Sequence, residues 1–108
     1  MSKLINSGRD LQEILKVRDK AMVLFYASWC PFSARFLPIF ERYAQEQEQT
    51  FLRFLVDYDE SLSDGYSIAV VPTVIFFENR KISKRLDGNP GVGLNEKKLT
   101  DLISVCRL

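Results

Sequence analysis

Apolar residues fall along this chain in two rhythms, a spacing of three and four residues and short continuous runs, and their alternation predicts a layered fold. Leu11, Ile14, Leu15 and Val17 form the apolar stripe of a first helix, with Ser7 placed to cap it. Lys3 to Ile5 fits a short strand ahead of that helix. Ala21 to Ala27 is an unbroken apolar run, the mark of a strand covered on both faces in a parallel-type sheet and therefore a central one. Phe36, Leu37, Phe40, Tyr43 and Ala44 return to helical spacing. Pro31 suits the first position of that helix, where its missing N–H would have no partner, and Pro38 should kink it. Phe51 to Val56 reads as a strand and Leu62 to Ile68 as a short helix interrupted by Gly65. Val74 to Phe77 and Ile82 to Leu86, joined by Glu78-Asn79-Arg80-Lys81, read as an antiparallel hairpin. After a turn cluster at Asp87-Gly88-Asn89-Pro90-Gly91, Leu94, Leu99, Leu102, Ile103 and Cys106 lie largely on one face of a last helix, with Asn95 as its cap. The order β-α-β-α-β-α-β-β-α predicts an α/β fold, a mixed sheet with helices on both faces.

Composition narrows the chemistry. The 108 residues suit a single domain, 1–108, with a core that needs neither disulfide nor metal. Hydrophobic residues at 46% and charged residues at 27% are an ordinary globular balance. The net charge of +1 is spread over interspersed basic and acidic residues, so no basic face exists to neutralise a run of phosphates and nucleic acid is not an expected partner. No apolar run approaches the ~20 residues of a membrane span, and the first residues are too polar for a signal peptide. A cytoplasmic protein is expected, lumenal or secreted only if a leader has been removed. With two cysteines and no histidine, a structural zinc site and a Cys-His or Ser-His nucleophile pair are excluded, and no metal or other cofactor is expected. Asp57, Asp59 and Glu60 read as a solvated strand exit.

The candidate chemistry lies in Trp29-Cys30-Pro31-Phe32-Ser33, which follows the central strand, and in Val71-Pro72-Thr73. Cys30 falls at a helix N-terminus, where unpaired N–H groups and the positive end of the helix dipole favour a thiolate. Dithiol exchange proteins carry a second thiol about one helical turn on, to release the mixed disulfide that the first one forms. Ser33 stands in that place and is expected to donate its hydroxyl proton to the sulfur. Cys106 shares a helix face with Leu99, Leu102 and Ile103 and reads as core packing.

These motifs, in order and at these separations, resemble those of the thioredoxin-like superfamily over nearly the whole chain. Phe25-Tyr26-Ala27-Ser28-Trp29-Cys30 is similar to the strand-to-helix junction of thioredoxins and protein disulfide isomerase domains, Pro38 to their helix-kinking proline, Val71-Pro72-Thr73 to their cis-proline loop, and Gly88 to the glycine after their last strand. The Cys-Pro pair is also similar to glutaredoxins, although Trp29 and Val-Pro-Thr favour the thioredoxin side. Tyr26 to Ser33 resembles still more closely the monothiol, client-retaining members of the disulfide isomerase family, which use Cys-Arg-Phe-Ser and have further domains. The resemblance implies a thioredoxin fold with a cis Pro72 facing Cys30, and a Val71 backbone free to pair with an extended client. It also implies an apolar rim of Trp29, Pro31 and Phe32. Family members usually place an acid in the strand before the motif to deprotonate the second cysteine; the matching residue here is Leu24.

Cys30 and Ser33 are therefore the candidate catalytic residues, and Trp29, Pro31, Phe32, Val71, Pro72 and Thr73 the candidate substrate-binding ones. The expected activity is thiol–disulfide exchange of monothiol type, on protein clients with cysteines or disulfides, with a small-thiol reductant or a reductase as partner and the chain acting as a monomer. The alternatives are a client-binding module that retains without turnover, a redox-inert contact domain, and a Cys-to-Ser trapping mutant of a dithiol protein. The joint absence of a second thiol and of the acid at Leu24 favours a native Ser33 over the last of these.

Overall fold

The computed structural model describes residues 2–5, 7–58 and 65–106. Its strands are β1 (Lys3–Ile5), β2 (Lys20–Tyr26), β3 (Phe51–Leu55), β4 (Thr73–Glu78) and β5 (Lys81–Leu86). They form one sheet in the order β1-β3-β2-β4-β5, with β2 central as its apolar run predicts. β3 runs parallel to both β1 and β2, whereas β4 is antiparallel to β2 and to β5, so the sheet is mixed.

The two-faced burial of β2 divides the core. Ala21, Val23 and Phe25 point to one side, where they meet Leu11 and Leu15 of helix α1 (Gly8–Val17); Met22 and Leu24 point to the other. There they meet Phe36 and Phe40 of α2 (Pro31–Ala44) and Leu99, Leu102 and Cys106 of α3 (Glu96–Cys106). Strand β4 repeats the alternation, with Ile75 and Phe77 on the α1 side and Val74 and Phe76 on the α2 side. Helices thus cover both faces, as the element order predicts.

Local chemistry sets the ends of the elements. The Ser7 hydroxyl accepts the Asp10 N–H at 3.1 Å, and the Asn95 side chain accepts the Lys98 N–H at 2.9 Å, so both expected caps form. α2 continues past Pro38, which lies on the exposed face. The Ala34 carbonyl that Pro38 leaves without a partner is also on an exposed residue, where water can meet it.

Three expectations need correction. Val17 is 80% exposed, because it lies two residues beyond Leu15 and so turns away from the face set by Leu11, Ile14 and Leu15. The β4–β5 connection is tighter than the four residues expected: Asn79 and Arg80 alone turn the chain, with φ of 53° and 71°, the left-handed pair that matches the twist of a hairpin. The strand expected over Phe51 to Val56 ends at Leu55, and Val56–Tyr58 forms a single 3-10 turn instead. Of the helix expected over Leu62 to Ile68, residues 62–64 lie outside the described residues, Gly65 is helical, and Tyr66 and Ser67 form a turn.

Candidate active site around Cys30

Cys30 is the N-cap residue of α2, with an extended backbone (φ −95°, ψ 119°), and Pro31 occupies the first helical turn. The Cys30 carbonyl accepts the Ala34 N–H at 3.1 Å, which starts the helix. The thiol is buried, 6% exposed, and its Sγ lies 3.7 Å from the Val71 carbonyl oxygen, toward which the S–H is directed. Two segments distant in sequence, the end of β2 and the approach to β4, therefore meet at the sulfur.

The Val71–Pro72 peptide bond is cis. Behind it, the Thr73 hydroxyl donates to the Val70 carbonyl at 2.6 Å and accepts the Gly88 N–H at 3.4 Å. Gly88 must be glycine for reasons of space: a Cβ there would collide with the Pro72 carbonyl oxygen. Gly93, at φ +80°, lies against Phe32, and a Cβ on it would come within 2.9 Å of the Phe32 Cβ. The Asn89–Gly93 loop, closed by Gly93 N–H to Asn89 O at 2.8 Å, thereby flanks the site. The Val71 N–H has no hydrogen-bond partner among the described residues.

A groove of about 490 Å³ opens beside Cys30. Trp29, Cys30, Pro31, Phe32 and Val71 line it, as the sequence leads one to expect, and Trp29 is 72% exposed on its rim. Ser33, Pro72 and Thr73 do not line it; they are buried and sit behind its walls. No hydrogen bond from the Ser33 hydroxyl to the Cys30 sulfur is present among the described residues; the hydroxyl accepts the buried Ala27 N–H at 3.2 Å. That bond satisfies a backbone donor left over where β2 ends and α2 turns away.

Val56, Asp57, Ile68, Ala69, Val70 and Gly91 complete the groove and were not singled out from sequence. Asp57 is exposed just past the end of β3, the solvated strand exit expected of it, and it is also held in place. Its carboxylate accepts the Ser28 N–H at 3.1 Å and also the Ser28 hydroxyl proton. These bonds, the hydroxyl first, hold its pKa below the ordinary carboxylate value. The signal lay in strand pairing: Tyr26 of β2 is in register with Leu55 of β3, so Ser28 and Asp57, each two residues further on, emerge side by side.

Cys106 is buried on the opposite face of the sheet from Cys30, among the α2 and α3 side chains, and both thiols are free. Burial pushes the Cys106 thiol pKa up. Among the described residues no cluster of metal-ligating side chains forms, and no helix is long and apolar enough to cross a membrane.

With the geometry in place, comparison with known proteins is informative. The family model described as Thioredoxin matches residues 4–104. The chain is 37% identical over 87 residues to a thioredoxin of Mycoplasmoides gallisepticum, a match that covers 80% of this chain and 87% of that protein. It is 34% identical over 86 residues to Endoplasmic reticulum resident protein 44 of Mus musculus, covering 72% of this chain and only 21% of that longer protein. A solved thioredoxin of Plasmodium falciparum superposes with a TM-score of 0.84 at 23% identity, over 95% of this chain and 97% of that one.

Proposed function

The chain belongs to the thioredoxin family, whose members are thiol–disulfide oxidoreductases acting on protein thiols and disulfides, and from that premise we propose that this one works through a single thiol, Cys30. The Cys30 thiolate attacks one sulfur of a client disulfide, the S–S bond breaks, and the electron pair leaves on the departing sulfur as a thiolate. The resulting Cys30–client disulfide is then attacked by an external small thiol, which takes the client sulfur and returns Cys30. A client chain in extended form pairs with the free Val71 N–H, while Trp29, Pro31 and Phe32 pack its side chains.

The observation that carries this reading is the environment one turn beyond Cys30. The residue there is a buried serine whose hydroxyl is engaged with Ala27, and the other thiol of the chain lies across the sheet. Without an internal resolving thiol, release becomes bimolecular and loses the effective-concentration advantage of an intramolecular attack. A reducing cytosol, rich in small thiols, suits such a mechanism. The same geometry favours one second reading, client retention without turnover, because an apolar groove and an unresolved mixed disulfide both prolong the complex.

The test compares the protein with Ser33→Cys in the reduction of a protein disulfide and of a small-thiol mixed disulfide, with and without added small thiol. Turnover of the mixed disulfide that depends on added thiol supports a monothiol oxidoreductase. Stoichiometric capture with no turnover supports retention. Protein-disulfide reduction by the unsubstituted protein without added thiol, as fast as by the variant, contradicts both.

A further inference from the structure

The groove beside Cys30 is lined mainly by apolar side chains. Among the described residues that line it, Asp57 alone carries a charge. Its position is fixed rather than adaptable: both carboxylate oxygens accept hydrogen bonds from Ser28, one from the backbone N–H at 3.1 Å and one from the hydroxyl. Ser28 immediately precedes Trp29, so the carboxylate stands where the rim tryptophan leaves the backbone, two residues from the nucleophilic sulfur. The same bonds keep the carboxyl below its ordinary pKa, so the charge persists at neutral pH.

Two guanidinium groups come near the groove without lining it: that of Arg35 lies 5.5 Å from the centre of the Phe32 ring, and that of Arg85 is held by the Tyr66 and Ser67 carbonyls and by Asp87. A client laid across Cys30 therefore meets apolar surface and one anchored negative charge. Because the chain as a whole carries only +1, the field that a client senses at close range is local.

Resting on the single-thiol reading above, we infer that Asp57 is a specificity determinant that selects client segments with a lysine or arginine beside the reacting cysteine. A basic side chain there gains a charge-assisted contact with the free lone pairs of the carboxylate, and an acidic one is repelled. Both effects are those of a solvent-exposed pair, so the selection is a matter of rate and weakens in salt.

The experiment uses peptides with one cysteine, activated as a mixed disulfide with a neutral aromatic thiol and flanked by Lys, Ala or Glu. The quantity measured is the second-order rate of adduct formation at Cys30. The lysine peptide is expected to react roughly two- to tenfold faster than the glutamate peptide at low ionic strength, with the ratio approaching one in molar salt. Asp57→Asn, which keeps an oxygen to accept from Ser28, is expected to bring the ratio close to one at low salt. Equal rates for lysine and glutamate peptides, a ratio indifferent to salt, or an undiminished ratio in Asp57→Asn overturns the inference. Should the variant fold poorly, the salt dependence of the unsubstituted protein decides alone. Failure of all three peptides to form an adduct overturns the single-thiol reading itself, and the inference with it.

Discussion

The Ser33 hydroxyl accepts the Ala27 N–H at 3.2 Å, and both residues are buried. A serine at this position is thus part of the architecture that ends β2 and starts α2. Ser33→Ala leaves the Ala27 N–H without its partner in a buried setting, and a loss of about 1–3 kcal/mol is expected in urea unfolding. Unchanged stability would show that the backbone finds another acceptor.

Gly88 and the Pro72 carbonyl are in contact through the space where a Cβ would be. Gly88→Ala must push the proline loop forward, and with it the Val71 carbonyl that meets the Cys30 thiol. The expected outcome is a stability loss of roughly 1–3 kcal/mol together with slower capture of a peptide disulfide. Alkylation of Cys30 by a small reagent, measured alongside, separates loop displacement from a change in the thiol.

Arg85 ties the approach to the proline loop to β5. Its guanidinium donates to the Tyr66 carbonyl at 2.9 Å and the Ser67 carbonyl at 3.4 Å, and it pairs with Asp87 at 2.7 Å. Ser67 sits at φ 55°, a conformation that a non-glycine residue keeps only when its surroundings hold it. Arg85→Met should cost about 1 kcal/mol and speed amide exchange over residues 65–71, with little effect in α1. Hydrogen exchange followed by mass spectrometry reads this directly.

Burial raises the Cys106 thiol above its ordinary pKa, so the folded state holds that proton more tightly than the unfolded chain does. The stabilisation is fully present below the unfolded thiol value and is lost as pH rises through it toward the folded value. Unfolding free energy should therefore fall above about pH 9, and fall less steeply in Cys106→Ala, as pH-dependent urea titrations of the two proteins would show. Equal slopes would contradict the assignment.

The sequence was most legible where one physical rule acted alone. An unbroken apolar run placed β2 at the sheet centre, capping side chains placed the starts of α1 and α3, and a proline after Cys30 placed the start of α2. Val17 was misread because it ends an apolar stripe whose geometry has already turned past it. The Ser33 hydroxyl's role as acceptor for the Ala27 N–H was not legible, because that donor comes within reach only through the three-dimensional turn between β2 and α2. Asp57 was invisible as a groove residue for a similar reason, since its partner Ser28 becomes its neighbour only through strand register. Pro72 and Thr73, read from sequence as substrate-binding, are buried and do not line the groove.

The most direct test of the central claim is intact-protein mass spectrometry after mixing the reduced protein with a peptide disulfide, with peptide mapping of the adduct and a chase with small thiol. The account predicts one peptide per chain, attached at Cys30, that persists until small thiol is added and then leaves with Cys30 free. An adduct at Cys106, no adduct at all, or loss of the peptide without added thiol would contradict it.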